Sequence, residues 1–127
     1  MGYEQHNKRL NDKKKISLKE LVFVINLDYS LSFYDEENNI IQWNKHPLGG
    51  IDGEMPLLYY SEGWISSRHP DEFVTLKMFE LAKKLNANLC DDESIFDNDY
   101  QIEIENHCSK TLKRYQQKVN KPWWIFW

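Results

Sequence analysis

The chain has 127 residues, and 14% of them are aromatic, with 5 Trp, 7 Tyr and 6 Phe. Aromatic bulk on this scale can fill a core, which excludes a wholly disordered chain, and the length fits one domain. No apolar run is long enough to cross a bilayer, and the N-terminus lacks the apolar stretch of a secretory signal. Two cysteines cannot form a disulfide framework. These features predict a cytoplasmic protein with no membrane contact.

The formal net charge of −4 is unevenly distributed along the chain. Residues 21–105 hold 17 acidic side chains against 5 Lys and Arg, whereas both ends of the chain are basic. Nucleic-acid affinity comes largely from Lys and Arg, so the acidic middle argues against a nucleic-acid partner. The same charge would speed the approach of a protein with a basic surface.

The first part of the chain combines a polar segment with an ambiguous apolar one. Residues 1–15 are lysine-rich and predict a flexible basic arm, followed by a single domain over 16–127. Ser17 and Glu20 have the spacing of a capping box, and apolar residues follow at helical intervals, which favours a helix over 17–26. The β-branched and aromatic run Val22–Ile25 leaves a buried strand as the alternative.

The next segment has the pattern of a β-hairpin followed by two more strands. Two short apolar runs, Leu31–Tyr34 and Ile40–Trp43, flank the polar segment Asp35–Asn39. Further strands are predicted over Met55–Tyr60 and Trp64–Ser67, with Gly63 supplying a positive φ in the turn between them.

Helical periodicity dominates the last third of the chain. One helix is predicted over 71–86, because apolar residues recur at helical spacing and Pro70 with two acids precedes them. A short strand is possible over 87–90. A second helix is predicted over 98–119, with a strand through residue 105 as the alternative start. The fold class is therefore α+β, with an antiparallel sheet of about four or five strands packed against two or three helices.

The sequence lacks a spacing that would identify a metal, nucleotide or catalytic site. Cys90 and Cys108 have no short Cys/His partner spacing, which argues against zinc. The loop Leu48–Glu54 contains glycines, but its carboxylates would repel a phosphate. We therefore predict no cofactor, no metal and no catalytic residue, and favour a non-enzymatic binding protein.

Two acidic segments are the candidates for binding a basic partner. The span 91–105 holds seven acids and no Lys or Arg, and the predicted hairpin turn holds three more. Exposed acidic loops can also serve solubility alone. The candidate residues are Asp91, Asp92, Glu93, Asp97, Asp99, Asp35, Glu36 and Glu37.

Several segments of the middle of the chain look like those of small bacterial α+β proteins of unassigned function: Gly49–Glu54, Trp64–Ile65, Arg68–Asp71 and Asp91–Ser94. In size, acidity and lack of a catalytic motif, the chain also resembles immunity proteins of bacterial toxin systems, including contact-dependent growth inhibition. This resemblance implies a protein that binds a cognate toxin domain, often a nuclease, and blocks its basic active-site cleft.

Two other functions fit the sequence. One is a small enzyme that uses carboxylates and His69. The other is a structural subunit of a larger assembly that uses the aromatic run Trp123–Trp127, whose side chains would pack either in the core or at an interface.

Overall fold

The computed structural model describes residues 4–9 and 14–119, with side chains through Tyr115. Within these residues the chain forms six strands and three helices. In order they are β1 (Glu4–Lys8), α1 (Leu18–Leu27), β2 (Leu31–Asp35), β3 (Ile40–Trp43), β4 (Leu57–Ser61), β5 (Trp64–Arg68), α2 (Glu72–Lys84), β6 (Asn88–Cys90) and α3 (Asn98–Val119). The predicted α+β class is confirmed.

The strands form one antiparallel sheet in the order β2-β3-β4-β5-β1-β6. Strands β2 to β5 follow one another as a meander, whereas β1 is inserted between β5 and β6. The sheet has one strand more than the upper estimate from sequence, because β1 joins it.

The core lies between one face of the sheet and the helices. Ile41, Leu58 and Ile65 project from this face and are almost fully buried. They belong to one hydrophobic cluster with Leu21 of α1 and Met78 of α2. Helices α1 and α2 therefore cover the same face, and α3 packs mainly on α2.

The predicted start of α1 is confirmed by its capping geometry. Ser17 Oγ accepts a hydrogen bond from the Glu20 backbone N–H (3.1 Å), and a Glu20 carboxylate oxygen accepts one from the Ser17 N–H (3.2 Å). This reciprocal pair satisfies donors that the first helical turn leaves open. The alternative of a strand at Val22–Ile25 is wrong.

The prediction of a flexible arm over residues 1–15 is wrong for Glu4–Lys8. This strand pairs with β5 on one side and β6 on the other. Its side chains Gln5, His6 and Asn7 are polar but buried, so the strand lacks the apolar pattern from which a central strand is usually recognised.

The last helix begins at Asn98, so the alternative of a strand through residue 105 is wrong. Cys108 is buried on its inner face, and Tyr100, Ile104 and Leu112 are packed against the core. The aromatic run Trp123–Trp127 lies outside the described residues. Within the described part of the chain, no helix combines the length and apolarity needed to cross a membrane.

Candidate functional site

The acidic segment after β6 forms a tight turn that Asp91 itself holds in place. Asp91 Oδ1 accepts hydrogen bonds from the backbone N–H groups of Glu93 (2.9 Å) and Ser94 (2.8 Å). The Asp91 N–H donates to the Ser94 carbonyl (3.0 Å), and Ile95 pairs back onto Cys90. The Asp91 carboxylate is thus part of the turn and is not presented to solvent in the way its neighbours are.

Asp92 and Glu93 lie at the tip of this turn and are exposed. The Asp92 side chain is 90% exposed, and its Oδ1 lies 3.6 Å from Nε2 of His6. The turn therefore projects two carboxylates from a backbone that is fixed by hydrogen bonds.

Acidic side chains also hold the backbone at the β2–β3 turn and at the start of α3. Asp35 accepts hydrogen bonds from the backbone N–H and side-chain amide of Asn38 (3.2 and 2.7 Å), which lower the Asp35 pKa. Asp97 accepts a hydrogen bond from the Tyr100 N–H (2.9 Å) at the start of α3. Glu36, Glu37 and Asp99 are exposed.

The structure does not bring the two acidic segments together. The Asp35–Glu37 turn joins β2 to β3, whereas the Asp91–Glu93 turn follows β6, and β2 and β6 are the two outermost strands of the sheet order. Five strand spacings put these strands about 24 Å apart. The alternating strand directions also place the two turns at opposite ends of the sheet. The candidates therefore form two separate surfaces.

A cluster of His6, Ser66 and Asp92 lies on the sheet face away from α1 and α2, and the sequence analysis missed it. His6 Nδ1 is 2.8 Å from Ser66 Oγ, and the His6 ring packs beside Trp64 at a centroid distance of 5.4 Å. Serine hydrolases use these three residue types, but they also need donors for an oxyanion. Here β5 is paired with β4 and β1 on both sides, so its backbone N–H groups serve the sheet.

A second histidine, His46, has a structural role that its partners define. Its Nδ1 accepts hydrogen bonds from the N–H groups of Leu48 (3.1 Å) and Gly50 (3.2 Å). The proton is therefore on Nε2, which donates to Asp71 Oδ2 (2.6 Å). The other Asp71 oxygen accepts from the Val74 N–H (2.8 Å) and caps α2. Both ring nitrogens are used to fasten the 46–50 loop to α2.

His69, the histidine expected for the enzyme alternative, is exposed and adopts a left-handed backbone conformation with φ of 49°. Among the described residues, no carboxylate forms an ion pair with it. His69 lines a cavity of about 220 Å³, and the one carboxylate that the described residues contribute to the lining of that cavity is Glu54.

The two thiols are buried and free. Burial raises the pKa of both, and it raises that of Cys108 to about 11, so the thiols are neutral near pH 7. In the described part of the chain, no group of three or more His, Cys, Asp or Glu side chains could hold a metal ion.

A groove of about 560 Å³ runs along α2, between α3 and the end of β3. Trp43, Pro47, Phe73 and Leu76 give it apolar walls, and the charged side chains around it include Lys77 and Lys83. The volume is within the range of ligand and peptide pockets.

Lys77 is buried beside this groove, and hydrogen bonds occupy its ammonium group. Nζ donates to Asp28 Oδ2 (2.7 Å), Ser30 Oγ (2.9 Å) and Glu80 Oε2 (2.9 Å). Burial alone would raise the pKa of Asp28, but the hydrogen bonds from Lys77 and Ser30 outweigh it and lower that pKa strongly. With its three protons engaged, Lys77 joins α2 to the end of α1.

Large apolar side chains are exposed on and after α1. Phe23 and Leu27, one helical turn apart, are 65% and 69% exposed, and Tyr29 is 97% exposed. Their spacing is visible in the sequence, but only the buried face of this helix was predicted from it.

A comparison of the chain with protein-family models, curated proteins and solved structures finds no match.

Proposed function

We propose that the chain is a non-enzymatic binding protein that acts in the cytoplasm and neutralises a cognate toxin domain. Its acidic turn, Asp91–Ser94, would dock on the basic cleft of that domain and block access to it. The single observation that carries this proposal is the fixed turn with its two projecting carboxylates, Asp92 and Glu93.

The fixed backbone favours binding because little ordering is needed when a partner arrives. The three acceptor contacts of Asp91 and the pairing of Ile95 with Cys90 already restrict the turn. Association costs less when a loop is held in its bound conformation beforehand. Asp92 and Glu93 can therefore meet cationic groups without the turn first having to fold.

The charge on the turn acts mainly on the encounter of the two proteins. Complementary charges steer association and raise its rate, whereas screening by salt removes this effect. Steric occlusion then follows from the docked position. A basic catalytic cleft, which a nuclease needs for its phosphate substrate, is the kind of surface that this turn fits.

The test replaces only the exposed acids and leaves Asp91 in place. The partner to be tested is the product of the adjacent upstream reading frame, purified as its C-terminal domain, and association rates are measured by stopped flow at two salt concentrations. We expect the double variant Asp92→Lys/Glu93→Lys to associate about tenfold more slowly at low salt. Its rate should also depend less on salt.

The control is a matched charge reversal at the β2–β3 turn. It distinguishes an effect of the acidic turn itself on the association rate from an effect of the net charge of the chain. Glu36→Lys/Glu37→Lys changes the chain charge by the same amount, at a turn five strand spacings away and at the opposite end of the sheet. The proposal predicts a clearly smaller effect for this pair. If both double variants slow association equally, or if the Asp92/Glu93 pair leaves the rate unchanged, the acidic turn is not the docking surface.

A further inference from the structure

The helical side of the molecule carries a second surface that the acidic turn does not involve. Lys84 lines both the 560 Å³ groove along α2 and a cavity of about 310 Å³ between α1 and α2. Phe23 lines the smaller cavity, and Leu76 lines the groove. We call this continuous region, from Phe23 across Lys84 to Leu76, the α1–α2 surface.

The apolar character of the α1–α2 surface extends beyond the two cavities. Leu27 lies one helical turn after Phe23, and Tyr29 follows at the end of α1. Asp28, which lies between Leu27 and Tyr29, contacts Lys77 and Lys84 of α2, so this end of α1 adjoins the groove. Exposed apolar side chains clustered beside an apolar groove are typical of a protein-binding surface.

On this surface, within the described part of the chain, the acidic groups near α1 are paired with cations, whereas two lysines are not paired with an acid. Its acids near α1 are already paired: Glu20 with Arg9, Asp28 with Lys77, and Glu80 with Lys77 and Lys84. Two of its lysines have no acidic partner among the described residues: Lys19, which lines the smaller cavity, and Lys83, which lines the groove. Glu105 is on the opposite wall, on α3, where it accepts a hydrogen bond from Gln101.

We propose that the α1–α2 surface binds an amphipathic helix of a partner protein, with an apolar stripe flanked by acidic residues. The apolar stripe would cover Phe23, Leu27 and the Leu76 wall of the groove, and the acids would meet Lys19 and Lys83. A helix that lays its apolar face into a groove is a common mode of recognition. This site goes beyond the proposed function, because it lies on another face and selects the opposite charge.

The experiment uses two synthetic helical peptides of about 18 residues with the same leucine stripe. One peptide has glutamates beside the stripe and the other has lysines. Titrations of the full chain are followed by NMR chemical shifts and by calorimetry. We expect the glutamate peptide to bind at least about tenfold more tightly than the lysine peptide, and the difference to shrink in high salt.

Exposed positions allow variants that should not disturb folding. Leu27→Asp should weaken the glutamate peptide about tenfold, and Lys83→Glu should remove most of the preference for glutamate. The matched control is Tyr34→Asp, which changes a side chain of similar exposure on the other face of the sheet and should leave binding unchanged. Unchanged melting temperatures confirm that the folds are comparable.

Five results would overturn the proposal. The glutamate peptide could bind no better than the lysine peptide or more weakly than about 1 mM, or Leu27→Asp could have no effect. If the chain forms concentration-dependent dimers and Leu27→Asp abolishes them, the α1–α2 surface binds a second copy of the chain. Binding that appears only after deletion of residues 120–127 would make that segment the occupant. None of these results bears on the acidic turn, whose variants are tested with a different partner.

Discussion

At the scale of single residues, the acidic side chains of this chain divide into two roles. Asp35, Asp91 and Asp97 each accept a hydrogen bond from a backbone N–H three residues later, which fixes a turn or a helix start. The acids that follow them are exposed. Short aspartate side chains suit the first role, because their oxygens reach nearby backbone donors. Part of the acidic charge counted in the sequence therefore serves to hold the backbone.

Asp28 makes stability depend on pH in a predictable direction. Its side chain is 9% exposed, and its pKa is lowered by hydrogen bonds from Lys77 and Ser30 that outweigh the effect of burial. A lowered pKa stabilises the fold at pH values above the ordinary aspartate pKa of about 3.9 and loses this effect as the pH falls below it. Asp28→Asn should therefore cost about 2–3 kcal/mol at pH 7.

The pH dependence of that cost distinguishes the ion pair from simple packing. The difference in unfolding free energy between the wild type and Asp28→Asn should shrink steadily below about pH 4, because the unfolded chain then binds a proton at Asp28 that the folded chain, with its lowered pKa, does not. Urea unfolding at several pH values measures this. Asp52→Asn, at an exposed turn position, is the control for the loss of one carboxylate charge. A constant difference from pH 7 to pH 2 would contradict the prediction.

Ser67 offers a test of a buried polar group without a partner. Its Oγ is buried and forms no hydrogen bond within the described residues. Ser67→Ala should therefore leave the unfolding free energy within about 0.5 kcal/mol of the wild type or raise it. Thr75→Val, which removes a hydroxyl that contacts Gln5 Oε1 at 3.1 Å, should cost about 1–2 kcal/mol. Equal losses for the two variants would refute this distinction.

At the scale of the elements, helix α2 is the central packing unit. Leu81 is almost fully buried between this helix and the sheet, whereas Lys83, two residues later, is exposed. Leu81→Ala should cost about 2–5 kcal/mol, because it removes buried methyl groups and leaves a cavity. Lys83→Ala should stay within about 0.5 kcal/mol of the wild type. Thermal or urea unfolding measures both, and a loss below 0.5 kcal/mol for Leu81→Ala would mean that this face is misassigned.

Helix α2 and the β2–β3 hairpin were predictable because each shows its pattern within a few residues. Val74, Met78 and Leu81 recur at helical spacing, and the hairpin places a polar turn between two apolar runs. Strand β1 has no such local signal. Its buried polar side chains are stabilised by distant partners: Gln5 contacts Thr75, and Asn7 donates to the Met78 carbonyl (3.0 Å). Sequence reasoning cannot identify partners about 70 residues away.

The candidate site was predictable to a similar degree. The exposure of Asp92 and Glu93 follows from a polar segment between two ordered elements. That Asp91 accepts hydrogen bonds from the backbone of its own turn depends on the turn geometry. The contact between His6 and Asp92 depends on the position of β1 in the sheet. The separation of the two acidic segments follows from the strand order, which the chain order does not determine.

At the scale of the whole molecule, β1 connects the meander to β6. The N-terminal strand is the only link in the described sheet between β5 and β6. It also contacts α2, through Asn7 and Gln5. Strand β1 is therefore needed to hold β6 in the sheet. The acidic turn follows β6 and depends on β1 in the same way.

This position makes deletion of residues 1–8 a decisive test of the architecture. The loss of β1 would remove both of its ladders and leave β6 without its neighbour, so we expect no cooperative unfolding transition and collapsed NMR dispersion. If residues 1–8 were a flexible arm, their deletion would leave the melting temperature unchanged. Lys8→Ala is the control, because it keeps the strand and removes only the contact of Lys8 with Trp64, worth at most about 1 kcal/mol. Addition of a synthetic peptide of residues 1–9 should restore the dispersed spectrum in proportion to its binding, because the peptide supplies both of the ladders that the deletion removes.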